Sequence, residues 1–172
     1  MHIEPLGIYS SKYDSLQALP NGARIALPNN PTNLTRALLL LQDNGLLKVK
    51  GSQEHNITEQ DITANPHHLR LVLTDSPLIA RTLPDVDAGI INGNFALEAG
   101  LTPSRDALAL EPAAHNPYAN ILVVRDSDKN DPRVKKLAEE LTSPDVAAFI
   151  ESHYRGSVLP VHHSRKQEDN LQ

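Results

Sequence analysis

Short apolar runs bounded by Pro, Gly and Asn alternate along the chain with segments in which Leu, Ala and Val recur at helical spacing. The short runs predict strands over residues 3–9, 24–27, 46–49, 69–73, 87–91 and 120–125. Helical spacing and cap signals predict helices over residues 31–44 before Gly45, 58–64 behind Thr58, 77–83, 93–99 before Gly100, 132–141, and 144–154 before Gly156. Strands and helices in alternation indicate an α/β fold with a largely parallel sheet. The last two helices share a start, Asp131-Pro132 and Ser143-Pro144, and are expected to form a helical hairpin. Residues 111–120, with Pro112, His115, Asn116 and Pro117, read as an extended connector and hinge. Residues 162–172 are polar and unpatterned, a disordered tail or an extension resting on a neighbour.

One stretch carries chemistry as well as structure. Residues 25–41 read as a buried strand, a polar turn and a helix start, with Asn30 as N-cap and Pro31 at the first helical position. Asn33 and Arg36 then share one helical face near the N-terminus, a setting suited to a carboxylate or phosphate. The competing assignment makes Asn33 a local cap and Arg36 a solvated or ion-paired residue. Residues 88–100 repeat the pattern, an apolar strand ending at Asn92 ahead of a helix containing Asn94. In open α/β sheets ligands bind beyond the carboxyl ends of strands, so the two corners can converge on one small ligand. The Asn92 amide offers an acceptor for an ammonium and a donor for a carboxylate. It can equally be no more than an N-cap.

Composition narrows the classes. A chain of 172 residues with 40% hydrophobic content can build a substantial core. The formal charge of -5 and dispersed basic residues give no footprint for nucleic acid. No cysteine is present, which removes thiolate metal sites and cysteine nucleophiles. Aromatic content is only 3%, too little to wall a pocket. His67-His68 and His162-His163 lack the further ligands of a zinc motif, so no metal or cofactor is expected. There is no Gly-x-Ser-x-Gly elbow or phosphate-cradling loop, and the protein is not expected to be an enzyme. His2 and Glu4 form a polar pair at the hinge, or an acid/base pair. No apolar run approaches a membrane span.

Four ordered motifs carry a family resemblance: residues 2–10 (HIEPLGIYS), 28–38 (PNNPTNLTRAL), 87–100, and 116–120 (NPYAN). Across residue 2 to about residue 160 the chain resembles the NlpA-type methionine-binding lipoproteins, the substrate-binding components of methionine ABC importers. The resemblance implies a fold of the periplasmic-binding-protein type II-like class and a free amino acid, L-methionine or a related compound or short peptide, delivered to an ABC permease at the cell envelope. It implies that Arg36 clamps the α-carboxylate with Asn33 beside it, that Asn92 holds the polar head from the second corner, and that Asn30 and Asn94 complete the polar set. Two positions depart from the family pattern: Asn30 stands where Asp is usual, and Thr35 where Gly is frequent.

The resemblance also implies an N-terminal segment ahead of residue 2 that this chain lacks, leaving mostly one complete lobe plus part of the other. The expected layout is residues 1–20 as crossover and entry, 21–115 as lobe two, 116–161 as the return to a partial lobe one, and 162–172 as the tail. Incomplete covering of lobe one leads to an expectation of self-association, with a copy of this chain or another polypeptide closing the apolar surface. The alternative function is a binding-protein domain without ligand affinity, acting as an interaction or structural protein.

Overall fold

The computed structural model describes residues 1–51, 56–112 and 116–161. In chain order the elements are β1 (His2–Ile3), β2 (Gly7–Tyr9), β3 (Arg24–Pro28), α1 (Pro31–Asp43), β4 (Lys48–Val49), β5 (Ile62–Ala64), β6 (Arg70–Thr74), α2 (Ile79–Thr82), β7 (Ala88–Ile91), α3 (Gly93–Glu98), α4 (Pro103–Asp106), β8 (Ala109–Leu110), α5 (Pro132–Leu141), α6 (Pro144–Tyr154) and β9 (Leu159–Pro160). They fall into two units, Pro5–Glu111 and a second built from Met1–Glu4 with the residues after Glu111.

The larger unit is organised by a five-stranded sheet in the order β6-β3-β7-β2-β8. Strands β6, β3 and β7 run parallel, whereas β2 is antiparallel to both β7 and β8. The sheet is therefore mixed, and the expected parallel arrangement holds only for its first three strands. β3 and β7 are buried on both faces, which explains their near-continuous apolar sequence. On one face Leu34, Ala37, Leu38 and Leu41 of α1, spaced three and four apart, pack over Ile8, Ile25, Leu27 and Ile90. On the other, Ile79, Leu83 and Ala96 pack over Tyr9, Ala26 and Ile91. Gly89 makes that second layer fit: a Cβ there would lie 2.8 Å from Ile79 Cγ2 and 3.0 Å from Leu83 Cδ2.

Four sequence expectations need correction. Residues 58–64 do not form a helix. Thr58 starts a single 3-10 turn (Glu59–Asp61) in which its amide donates to Asp61 Oδ2 at 2.9 Å, and β5 then pairs with β4. The local capping bonds satisfy the turn at once, and β-branched Ile62 and Thr63 favour the strand that follows. Residues 77–83 hold only the short α2, flanked by 3-10 turns that contain Pro77 and Pro84. The strand expected over 3–9 is interrupted at Glu4-Pro5, and its halves join different sheets. Of the strand expected over 120–125, only Asn120 pairs, its amide donating to the His2 carbonyl at 2.8 Å.

In the smaller unit β1 and β9 pair antiparallel, His2 opposite Pro160 and Ile3 opposite Leu159. Asp131 caps α5 by accepting from the Arg133 amide at 2.8 Å, and Ser143 caps α6 by accepting from the Val146 amide at 3.3 Å. α6 buries Ala147 and Ile150 and ends on left-handed Arg155 (φ 48°) before Gly156 (φ 89°). α5 buries no residue, and Leu137 and Phe149 stay about half exposed. His2 Nε2 lies 3.4 Å from Glu4 Oε1 and 3.2 Å from Asn120 Nδ2, a part-exposed polar cluster. His115 and the expected tail over residues 162–172 lie outside the described residues.

Candidate ligand-binding site

The first corner forms where β3 runs into α1. Asn30 has extended backbone (φ −79°, ψ 144°), and its Oδ1 accepts from the Asn33 amide at 3.0 Å. Pro31 occupies the first helical position, where no amide donor is needed. The other end of the Asn30 amide donates to Ser76 Oγ at 3.0 Å, and the Asn29 amide group bonds Asp75 Oδ1. Parallel pairing of β3 with β6 sets these two strand ends side by side, so the β6 turn braces the β3 turn. Thr35 adds a second brace: its hydroxyl accepts from the Ile57 amide at 2.8 Å. Asn30 is thus a positioning residue, with both ends of its side chain used inside the corner.

Asn33 and Arg36 lie on one face of α1, and the structure brings them together. Arg36 Nη1 donates to Asn33 Oδ1 at 3.4 Å. Its main partner is one the sequence reading did not single out, Glu111. Arg36 Nε donates to Glu111 Oε1 at 2.9 Å and Nη2 donates to Oε2, a two-pronged pair. Both side chains are only 10% exposed. Glu111 is fixed in turn by Leu6, whose amide donates to Oε2 at 3.0 Å while the Glu111 amide donates to the Leu6 carbonyl at 2.8 Å. A lone acid directly after the apolar run Ala107 to Leu110 and before Pro112 was the available signal.

The second corner follows β7. Asn92 has extended backbone, and its carbonyl accepts the first helical bond of α3 from the Ala96 amide at 2.9 Å. Its side chain does not cap the helix, and Oδ1 is buried with no hydrogen-bond partner among the described residues. Register ties this corner to the first. Gly7 pairs with Ile91, so the next step places Leu6, the residue holding Glu111, at the level of Asn92. Asn94 is half-buried in the first turn of α3. A cavity of about 600 Å³ opens beside the first corner, lined by Asn30, Asn33, Asp75, Ser76, Leu78 and Phe95 among others. Arg36, Asn92 and Asn94 do not line it.

These groups can bind charge. A fixed cation, a fixed carboxylate and a buried amide oxygen match the carboxylate and ammonium of a zwitterion. His67 and His68 sit in an exposed turn, and among the described residues no three His, Asp or Glu side chains converge as a metal site. A second cavity of about 450 Å³ is lined by Tyr9, Tyr13, Asp14, Arg105 and Asp106 among others. The Tyr9 hydroxyl is buried with no hydrogen-bond partner among the described residues; burial, helped by the Asp106 carboxylate, pushes its phenol well above the ordinary tyrosine range. No helix among the described residues is long and apolar enough to cross a membrane.

The methionine-binding lipoprotein MetQ of Bacillus subtilis is 40% identical over 164 residues, 94% of this chain and 60% of its own length. A solved nutrient binding protein from Burkholderia cenocepacia, bound to methionine, matches with a TM-score of 0.87 at 46% identity, over 93% of this chain and 67% of that one. An ABC transporter periplasmic substrate-binding protein from Coxiella burnetii matches with a TM-score of 0.85 at 43% identity, again over 93% and 67%. The chain spans 56% to 60% of the length of the curated relatives it matches. Its fold is the α/β, periplasmic-binding-protein type II-like fold of these proteins, mostly one complete lobe plus part of the other. A family model described as NlpA lipoprotein matches residues 1–162, and the chain belongs to that family.

Proposed function

We propose that this chain is the substrate-binding component of an ABC importer and holds L-methionine, or a related amino acid or short peptide, by its carboxylate and amino groups. The observation that carries the reading is the buried Arg36–Glu111 pair, with Asn33 on the remaining guanidinium nitrogen. A guanidinium and a carboxylate held together are complementary to a zwitterion, which presents the same two charges in opposite order. In the bound state the ligand carboxylate takes Arg36 and Asn33, and its ammonium takes Glu111 and the Asn92 Oδ1. Asn30 holds the helix start that presents Asn33, and Asn94 adds a polar group from α3. The exchange replaces one ion pair by two, with no net charge brought into the corner. No covalent bond changes, so selectivity rests on the affinity difference between ligand-free and ligand-bound states.

Relatives named or described as methionine-binding support the choice of ligand. Membership of a lipoprotein family supports a place at the cell envelope beside an ABC permease. Calorimetry with L-methionine, D-methionine and methionine-containing dipeptides tests the reading. Binding of one of them, weakened by about 2 to 4 kcal/mol in Arg36→Ala, is the expected result. No heat from any of them in a folded sample would overturn it and favour a domain without ligand affinity that serves as an interaction or structural protein. Unchanged affinity in Arg36→Ala would show that the carboxylate is held elsewhere.

A further inference from the structure

We propose that the cavity of about 450 Å³ beside Tyr9 is a second binding site, separate from the Arg36 corner, and that it takes a small organic ammonium ion. Its walls come from residues 9–14, 83 and 101–108, all inside the unit Pro5–Glu111, and none of them belongs to the corner that holds Arg36. The volume falls within the range of small-molecule sites, and the lining has their usual makeup, apolar surface with a few fixed polar groups. Leu83, Leu101 and Ala107 supply the apolar part. They belong to the packed layer that also contains Tyr9, so this wall is held by the core.

Tyr9 is the polar group that the fold leaves open. It is 1% exposed, and its hydroxyl has no hydrogen-bond partner among the described residues. The phenol is seated by design of the sheet: its ring lies over Gly7, where a Cβ would come 2.7 Å from Cε2 and 2.9 Å from the hydroxyl oxygen. Phe would fill the same space, so the hydroxyl adds only a desolvation cost unless something bonds it.

The charges of the wall select the class of ligand. Arg105 commits Nε and Nη2 to Asp106 at 2.8 and 3.0 Å, and Asp106 Oδ2 also accepts from the Thr102 amide at 2.6 Å. That pair is neutral as a unit. Asp14 is exposed and has no ion pair among the described residues, so the wall carries one uncompensated negative charge. Burial, and then the Asp106 carboxylate, keep the Tyr9 phenol protonated. Its oxygen is therefore a neutral acceptor in a negative field, a partner for an N–H group rather than for an anion. An ammonium supplies the donor and balances Asp14, while its carbon chain covers Leu83, Leu101 and Ala107. A carboxylate of the same size would meet Asp14 and Asp106 instead.

The test is a titration of the isotope-labelled full chain at pH 7 and low ionic strength with n-butylammonium chloride, followed by amide NMR, with sodium butyrate as the counterpart of opposite charge. Butylammonium should saturate in the millimolar range, as befits so few atoms, with the largest shifts in residues 9–14 and 101–108; butyrate should bind there at least about fivefold more weakly. Tyr9→Phe, which keeps the packing, and Asp14→Lys, an exposed change, should each raise the butylammonium dissociation constant at least about fivefold. Four results would each overturn the proposal: no saturable shifts, which would leave the hydroxyl to water alone; shifts largest around residues 30–36; butyrate binding as tightly as butylammonium; or an affinity unchanged in Tyr9→Phe.

Discussion

Replacing Arg36 by Met keeps most of the side-chain volume and removes the guanidinium, leaving the Glu111 carboxylate 10% exposed with the Leu6 amide as its donor. Removing one partner of a buried ion pair costs about 3 to 5 kcal/mol, because the other charge stays desolvated and unneutralised. The Leu6 donor and the residual exposure place this site at the lower end, about 3 kcal/mol. For a chain of this length that is a fall in melting temperature of roughly 10 °C. Glu111→Gln keeps the shape and one acceptor but leaves Arg36 without its carboxylate, and should cost about 2 kcal/mol. The double variant removes both charges, and should lie within about 2 kcal/mol of the parent, well below the sum of the single costs. Urea unfolding of the four proteins, followed by far-UV dichroism, completes the double-mutant cycle. Additive costs, or single costs below about 1 kcal/mol, would refute the claim that this pair is a coupled, buried unit.

Four further variants test features described above. Gly89→Ala should destabilise by about 1 to 3 kcal/mol in a thermal melt, because the new methyl meets branched Ile79 at 2.8 Å. Asn30→Ala should lose about 1 to 2 kcal/mol, since it deletes both the cap of α1 and the bond to Ser76. Tyr9→Phe should be neutral or stabilising by about 1 kcal/mol, as it removes a buried hydroxyl with no described partner. The parent should lose stability once pH passes about 10, where the unfolded phenol gives up its proton before the folded one, and Tyr9→Phe should flatten that limb in melts across alkaline pH. Bonds from the Thr58 amide and hydroxyl hold the Asp61 carboxyl below its usual range, so its contribution is present above about pH 4 and fades as pH falls further; Asp61→Asn should flatten that acid limb.

The parts of the fold that were legible in the sequence are those whose cause is local. Asn30-Pro31 and Ser143-Pro144 announce helix starts because cap and proline act within one turn, and both side chains cap as expected. The apolar runs at β3 and β7 read as buried strands because both faces are covered. Where two local signals compete, the reading failed: Thr58 and Asp61 satisfy a single turn as well as they would a helix, and only pairing with β4 decides the outcome. The site divides in the same way. Asn33 and Arg36 sit three apart and could be placed on one face from spacing alone. Glu111 lies 75 positions from Arg36, and no pattern within either segment reveals that the sheet brings them together. The bracing of Asn30 by Ser76 was hidden for the same reason, since it depends on the parallel neighbour β6.

The two bonds between Leu6 and Glu111 join the entrance of the larger unit to its exit. A compact unit whose ends meet at one point has the topology of an insert, the arrangement in which circular permutation or placement in a surface loop of another host stretches neither chain. Residues 5–111 are in that sense a portable cassette, and the carboxylate that closes the cassette is the one that grips Arg36.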